Sequence, residues 1–369
     1  MRTVCRNLKR IVILSAGFGE GHNAAARGIE ESLVHLDSSC VVERVDLFRE
    51  CYPRLERMSV RAYLLMINEA PRVWSSVYKM FDGMSGNSRW PSFRKLLKRL
   101  RFLLQNPPFA IVTTYPAYPV FLRRIYGDAL PAPLHTVITD SITVNNLWHA
   151  ADCDSFVSPN PETTDVLRSR GIRAEKIFTL GFPVSRRFGQ VQKRALPDPC
   201  EDFRILYAIN SGRHRARKIV QKILELPDVR LTVLTGHDAK LHAQLSALTE
   251  RQAQRCAVLS WTDEVPRLMN EHHLLISKAG GATTQEALAS ALPMIVHQLV
   301  PGQEEGNLEL LQKNGFGFFA PRSEKIIEII HQLREKNCAL WKTIRRKMAG
   351  AANPHAADRV AKHILNFRS

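Results

Sequence analysis

Two stretches of this 369-residue chain combine glycine turns with groups able to grip a phosphate or move a proton. From Leu274 to Leu311 the chain reads LLISKAGGATTQEALASALPMIVHQLVPGQEEGNLELL. The apolar run Leu274 to Ser277 has strand character, Lys278 to Thr284 is a small-residue turn, and a helical pattern with Glu286, Ala287 and Leu288 follows. Gly280 and Gly281 let backbone N–H groups approach a phosphate closely, and the dipole of the next helix adds attraction. A second apolar run, Pro293 to Gln298, leads into Pro301 to Asn307, where Gln303, Glu304, Glu305 and Asn307 can bind hydroxyls. A phosphate site followed by a hydroxyl site points to a nucleotide sugar. Gly-Gly before a helix also occurs for packing alone, and the polar loop beside it favours a ligand.

The second stretch lies near the start. Ile11 to Leu14 reads as a buried strand, Ser15 to His22 as a glycine-rich turn, and Asn23 to about Leu36 as a helix. Gly17, Gly19 and Gly21 lack the G-x-G-x-x-G spacing, so no dinucleotide fingerprint is present. His22, at the helix start, is a candidate general base, although a lone histidine is more often structural.

These turns need strands to hold them. Val41 to Leu47, Phe109 to Thr114, Leu134 to Thr139, Asp154 to Ser158 and Lys176 to Leu180 read as further strands of a first half. Tyr115 and Asp140 directly follow two of them, and open parallel sheets bind ligands at strand carboxyl ends. A second series comprises Phe203 to Ile209 with the turn Asn210-Ser211-Gly212, then Arg230 to Leu234, Ala257 to Trp261, and the stretch from Leu274. The expected division is an N-terminal domain over 1–185, a linker over 186–201 with prolines at 197 and 199, and a C-terminal domain over 202–350. A final helix over 351–369 would return to the first domain.

Composition sets the outer limits. With 45% hydrophobic and 24% charged residues the chain is globular, and no run reaches the ~18 apolar residues of a membrane span. Seven scattered cysteines without C-x-x-C spacing read as reduced small hydrophobes, not as a disulfide framework or a zinc site. Asp152-Cys153-Asp154 spells a D-x-D triplet, which 35 acids produce readily by chance, and no metal site is expected. Lys and Arg exceed Asp and Glu by 52 − 35 = 17, so the surface favours phosphates or anionic lipid. No nucleic-acid reader motif accompanies the charge, and nucleic acid is not an expected partner. A long helical region runs from Arg61 to Leu104, with a loop near Gly83 to Ser88. Its end, from Arg89, is amphipathic: Phe93, Leu96, Leu97, Leu100, Leu103 and Leu104 recur at three- and four-residue spacing as a stripe that should pack on the sheet, while Arg94, Lys95, Lys98, Arg99 and Arg101 can face anionic headgroups.

Read together, several ordered motifs give the chain its likeness. Gly19-x-Gly21-His22, Thr139-Asp140 with Trp148 following, Gly181-Phe182-Pro183-Val184, Leu234-Thr235-Gly236-His237, Trp261-Thr262-Asp263, Lys278-Ala279-Gly280-Gly281 and Gly302-Gln303-Glu304-x-Gly306-Asn307 run over nearly its whole length. In these the chain resembles the diacylglycerol glycosyltransferases, which include the monogalactosyldiacylglycerol synthases and the processive diacylglycerol glucosyltransferases. The resemblance implies an α/β GT-B fold, two facing Rossmann-like domains with an interdomain cleft. It implies a C-terminal domain for UDP-glucose or UDP-galactose and an N-terminal domain for the lipid acceptor, most simply diacylglycerol. Carried over by position, Glu286 would bind the ribose, and Gly280, Gly281, Ala282 and Thr283 the diphosphate, with Ser211 and Gly212 on its other side. Trp261 would lie on the uracil face, the Thr262 backbone would read its edge, and Gln303 and Glu304 would hold the sugar, with Asn307 supporting that loop. His22 would be the base of an inverting, metal-independent transfer needing no cofactor, with Asp140 orienting it or acting as a second base. The implied location is cytoplasmic, peripheral on the inner face of the membrane. The acceptor loop Gly19-Glu20-Gly21 departs from the family in carrying Glu20, and Tyr115 and Asn23 replace a histidine and a basic residue; these departures leave open a polyprenyl-linked or soluble acceptor, or a nucleotide-sugar-binding protein that has lost catalysis.

Overall fold

The computed structural model describes residues 8–17, 20–55, 58, 93–191, 196–209, 212–300, 302 and 304–368. Gly19, Ser211, Gln303 and the helical region expected over 61–92, Arg89 included, lie outside these residues. The chain divides into two units. One is Met1–Arg186 with His355–Ser369, and the other is Arg187–Pro354.

The first unit is built on a six-stranded parallel sheet in the order β2-β1-β3-β4-β5-β6, with β1 Lys9–Leu14, β2 Cys40–Val45, β3 Ala110–Thr113, β4 Leu134–Val137, β5 Ser155–Ser158 and β6 Ile177–Thr179. Its strands are apolar runs because both faces are covered. In β1 the side-chain alternation divides the core: Val12 and Leu14 pack with Leu96, Leu100 and Trp148, while Ile11 and Ile13 pack with Ile29, Leu33 and Val360. The first face is covered by a helix at Arg94–Leu103, whose Leu96, Leu100 and Leu103 are buried. Its Arg94, Lys95, Lys98 and Arg101 are exposed, and Arg99 pairs with Glu50 at 3.0 Å. The second face is covered by α1 (Glu20–Leu36) and the terminal helix Ala356–Asn366. No described helix is long and apolar enough to cross a membrane.

Close packing of α1 depends on Gly28. A Cβ there would lie 2.7 Å from the carbonyl oxygen of Val184 and closer still to that of Pro183. Gly28→Ala is therefore expected to destabilise the protein by about 1–3 kcal/mol, because backbone cannot swing aside as a side-chain end can. A chemical-denaturation midpoint shift with unchanged slope would register it.

The second unit repeats the plan with the order β12-β11-β10-β7-β8-β9, all parallel. Here β7 is Phe203–Ala208, β8 Val229–Leu234, β9 Cys256–Leu259, β10 Leu274–Lys278, β11 Met294–Gln298 and β12 Gly317–Phe319. Strand ends fall within two residues of the sequence reading, but β12 and the long helix Ser323–Ala351 are additions to it. Leu47 opens a short helix capped by Asp46, which accepts from the Arg49 N–H at 3.0 Å, instead of closing β2. The expected linker contains a helical turn, Arg187–Gln190, whose Arg187 pairs with Glu264 at 2.6 Å. The polar loop expected through Asn307 ends earlier. Glu305–Lys313 is helical, and acids at its start suit the positive end of the helix dipole.

Inside Ser323–Ala351 the helix breaks. Lys336, Asn337 and Cys338 take φ of 48°, 57° and 55°, the sole consecutive left-handed run of non-glycine residues among those described. Each such residue costs about 1–3 kcal/mol. The break brings Cys338 Sγ to 3.0 Å from Cys200 Sγ, so the cysteines are not all scattered.

Candidate active site

In both sheets the chain reverses its direction of strand addition once. β1 is flanked by β2 and β3, and β7 by β8 and β10. Ligands of open parallel sheets bind at the carboxyl ends of the strands flanking such a point. Both glycine turns lie there: Leu14 leads towards His22, and Lys278 leads into Gly280.

In the first unit His22 sits in the first turn of α1, buried. Its Nδ1 lies 2.6 Å from the Thr114 carbonyl oxygen and 2.9 Å from Thr139 Oγ1. A carbonyl can only accept, so Nδ1 carries the proton and Nε2 is the basic nitrogen. The orienting partner is therefore backbone just beyond β3. Burial holds the imidazole pKa down at about 4, the Thr114 bond working against it, so the ring is neutral at pH 7. Tyr115 meets the ring edge-on at 5.1 Å, and Trp148 lies at 6.0 Å.

Asp140 follows β4 and accepts the Trp148 indole N–H at 2.6 Å. Although part of the residue is exposed, the protein around the carboxyl raises its pKa from 3.8 to about 6, the Trp148 bond opposing. Its charge in turn contributes to holding the Tyr115 hydroxyl above the usual tyrosine range, behind burial and Asp46. Glu20, at the start of α1, is exposed and lies 3.7 Å from Arg27, and Gly21 follows in the same turn.

The sign of the Asp140 shift gives a prediction. A carboxyl whose pKa is raised on folding stabilises most below about 3.8, and that contribution is lost as pH rises through about 6. Asp140→Asn should therefore raise stability at pH 7.5 by about 1–3 kcal/mol, with no gain at pH 3.5. His22, whose pKa is lowered on folding, has the opposite sign: its contribution is complete above 6.5 and lost as pH falls through about 4. Comparing the variant with the parent at each pH cancels the histidine. Thermal melts across pH 3.5–7.5 check this, and a constant difference would reject it.

In the second unit Gly280 stands at the N-cap of Gly281–Ala289 and has no side chain to offer the first-turn amides, which include Ala282 and Thr283. Glu286 lies half-buried further along that helix. Ser277 Oγ donates to the Ala208 carbonyl at 3.0 Å, tying β10 to β7 at their carboxyl ends. Asn307 donates to the Ala279 carbonyl at 2.9 Å, fastening Glu305–Lys313 to the glycine turn. Glu304 is buried: one carboxyl oxygen pairs with Lys278 and the other accepts the Val300 N–H at 3.0 Å. Trp261 is 60% exposed and stacks on His237 with centroids 5.5 Å apart and planes 12° apart. Thr262 Oγ1 accepts the Glu264 N–H at 3.1 Å. Gly212, at φ 72°, caps Arg213–Leu224, whose first turn adds Arg213 and Arg215. Behind it both ring nitrogens of His297 and the Tyr207 hydroxyl are buried without hydrogen-bond partners.

In the first unit the fold brings His22, Tyr115, Asp140 and Trp148 together; in the second it ties Lys278, Glu304 and Asn307 to the glycine turn, while Trp261 and Thr262 follow β9 at the sheet's far edge. The sequence reading named most of these residues. It did not select Thr114 and Thr139 at the His22 ring, Lys278 at Glu304, or His297 behind Gly212. Lys278 was legible as part of its motif, but nothing local signalled its partner. Asp152 and Asp154 serve other ends: Asp152 pairs with Lys176 at 2.6 Å, and Asp154 accepts the Leu134 N–H at 2.7 Å.

Paired parallel α/β units with glycine turns at their switch points are the architecture of the GT-B fold. Solved structures match this architecture: MurG of Acinetobacter baumannii, at 13% identity and a TM-score of 0.61, covers 97% of this chain and 100% of its own. HepE of Anabaena, solved with UDP and glucose, matches at 13% identity and a TM-score of 0.55 over 97% of this chain and 100% of its own. Residues 22–184 match the family described as monogalactosyldiacylglycerol (MGDG) synthase, and residues 213–360 match the glycosyltransferase family 28 C-terminal domain. The processive diacylglycerol beta-glucosyltransferase of Bacillus cereus (strain AH187) is 24% identical over 96% of this chain and 93% of its own length. The chain is thus similar to the diacylglycerol glycosyltransferases over both of its halves, and is a hexosyltransferase.

Proposed function

We propose that the chain moves a hexose from UDP-glucose or UDP-galactose to diacylglycerol at a membrane surface, inverting the anomeric carbon to give a β-glycosyldiacylglycerol. The reading assigns the acceptor to the first unit and the donor to the second. What carries it is the His22 tautomer: with Nδ1 committed to the Thr114 carbonyl, Nε2 is left to take the acceptor hydroxyl's proton as its oxygen attacks. The charge that grows on the departing UDP meets the first-turn amides before Thr284 and the basic first turn after Gly212. Trp261 supplies an exposed face for the uracil, with the Thr262 backbone at its edge and Glu286 for the ribose. Lys278, Gln303 and Glu304 address the sugar, with Asn307 holding their turn. Amides and cations then do the work that a bound metal does elsewhere, and no cofactor is assigned.

Arg94, Lys95, Lys98 and Arg101, with Arg99 beside them, face away from the buried leucines of their helix and suit anionic headgroups on the cytoplasmic membrane face. The departures Glu20 and Tyr115 favour one second reading, in which the donor is the same and the acceptor is another lipid-linked or soluble sugar.

The test is direct. Purified protein with either UDP-sugar and anionic vesicles should release UDP only when diacylglycerol is present, with a chelator making no difference. The product should carry a β linkage by the proton coupling at its anomeric carbon. UDP release independent of diacylglycerol selects the second reading, and none with any lipid overturns both.

A further inference from the structure

We propose that Cys200 and Cys338 form an oxidation site, in which a peroxide converts the paired thiols into a disulfide joining the entry of β7 to the middle of Ser323–Ala351. Their sulfurs already lie 3.0 Å apart. Among the described residues no other two thiols come within hydrogen-bonding distance, and Cys40, Cys153 and Cys256 are separately buried. The approach depends on the left-handed run at 336–338, a conformation that L-residues resist. Asn337 anchors that run, since its Oδ1 accepts from Cys200 Sγ at 3.0 Å and from Lys342 Nζ at 3.3 Å. With the Cys200 hydrogen directed at Asn337, the Cys338 thiol is left to donate to Cys200 or, at 3.7 Å, to the Arg334 carbonyl.

The two thiols are unequal, which sets the order of events. Cys200 is partly exposed, whereas Cys338 is wholly buried, and burial raises its pKa to about 12. Cys200 is therefore the thiol that meets the oxidant, as its thiolate. Its sulfur attacks one peroxide oxygen, an S–O bond forms, the O–O bond breaks, and the first water leaves. The Cys338 sulfur then attacks the sulfenic sulfur of Cys200. The S–S bond forms, the S–O bond breaks, and the departing hydroxide takes the Cys338 proton as a second water. Two thiols give up two electrons and two protons, and one peroxide becomes two waters.

The location separates this site from the donor residues. The pair sits at the amino end of the sheet, where the Trp341 indole donates to the His273 carbonyl at 2.7 Å and His273 Nε2 lies 3.1 Å from the Pro197 carbonyl. Gly212, Lys278 and Gly280 stand at the carboxyl ends. Closing a loop of well over a hundred residues restricts the unfolded chain strongly. The crosslink should thus stabilise the second unit and leave turnover unchanged.

The full chain treated with hydrogen peroxide, then alkylated and mapped by mass spectrometry, tests this. The expected product has lost two hydrogens in one Cys200–Cys338 linked peptide, reverts with dithiothreitol, and melts about 5 °C or more higher. In Cys338→Ser the Cys200 sulfenic acid should persist and be captured by dimedone, and in Cys200→Ser residue 338 should stay reduced. Full alkylation of both thiols after peroxide overturns the proposal, as does a crosslink between other cysteines or irreversible oxidation of Cys200 without a link. The mapping uses the parent protein, so it decides even if a variant fails to fold.

Discussion

Replacing His22 with alanine should lower kcat by about 10²–10⁴ while leaving the KM for the UDP-sugar close to that of the parent. The expectation follows from where the ring is held. Its Nδ1 partners, the Thr114 carbonyl and Thr139 Oγ1, belong to the first unit, and so do Tyr115 and Trp148 around the ring. The residues proposed for the donor belong to the second unit, so none of the groups that hold His22 is among them. Removing the imidazole also strips a buried carbonyl of its donor, a penalty of about 1–3 kcal/mol that a melt would register separately from turnover. The pH profile adds a second reading of the same chemistry. With His22 as the base, the acid limb of the parent should lie near pH 4, where the imidazole titrates, and a limb near 6 would point to Asp140 instead. Steady-state UDP release measures both. Undiminished turnover in His22→Ala would transfer the base to Asp140, whose higher pKa suits proton abstraction near neutrality.

The second large effect is expected at Lys278. Its ammonium pairs with Glu304, whose side chain is 3% exposed and whose other oxygen accepts the Val300 N–H. Glu304 also stands at the N-cap of Glu305–Lys313, the helix that carries Asn307 to the Ala279 carbonyl. Lys278→Met would leave a buried carboxylate unpaired, and breaking one side of such a pair destabilises by about 3–5 kcal/mol. The same change loosens the turn assigned to the sugar, so donor KM should rise by about tenfold or more, equivalent to at least ~1.4 kcal/mol of binding. Lys278→Met combined with Glu304→Gln removes both charges and should recover part of the lost stability, without restoring donor affinity. Urea denaturation of the three proteins, alongside donor kinetics, checks the pair. A Lys278→Met protein as stable as the parent would mean that Glu304 finds other compensation and that the pair does not hold the turn.

Much of the architecture was legible because parallel strands covered on both faces appear as short apolar runs. Ile11 to Leu14, Phe203 to Ile209 and Leu274 to Ser277 are such runs, and each leads to glycine. Legibility failed where the signal was short or shared. Gly317–Phe319 is three residues long, too few for any periodicity, and Glu304–Glu305 reads equally as polar loop or helix start. The amphipathic helix at Arg94–Leu103 was readable from its leucine spacing, and burial of Leu96, Leu100 and Leu103 settles which face meets the core.

By itself the sequence determined every strand but β12, the glycine turns, the basic face and the family likeness, all properties of local pattern or ordered motif. Only the tertiary structure decided which strands are neighbours, and with that the two switch points. It also chose the partners. His22 is oriented by residues 92 and 117 positions away, Glu304 is neutralised from 26 away, and Cys200 meets Cys338 across 138. Hydrophobic periodicity is written over a few residues, whereas pairing between distant polar groups depends on which of them folding removes from water together.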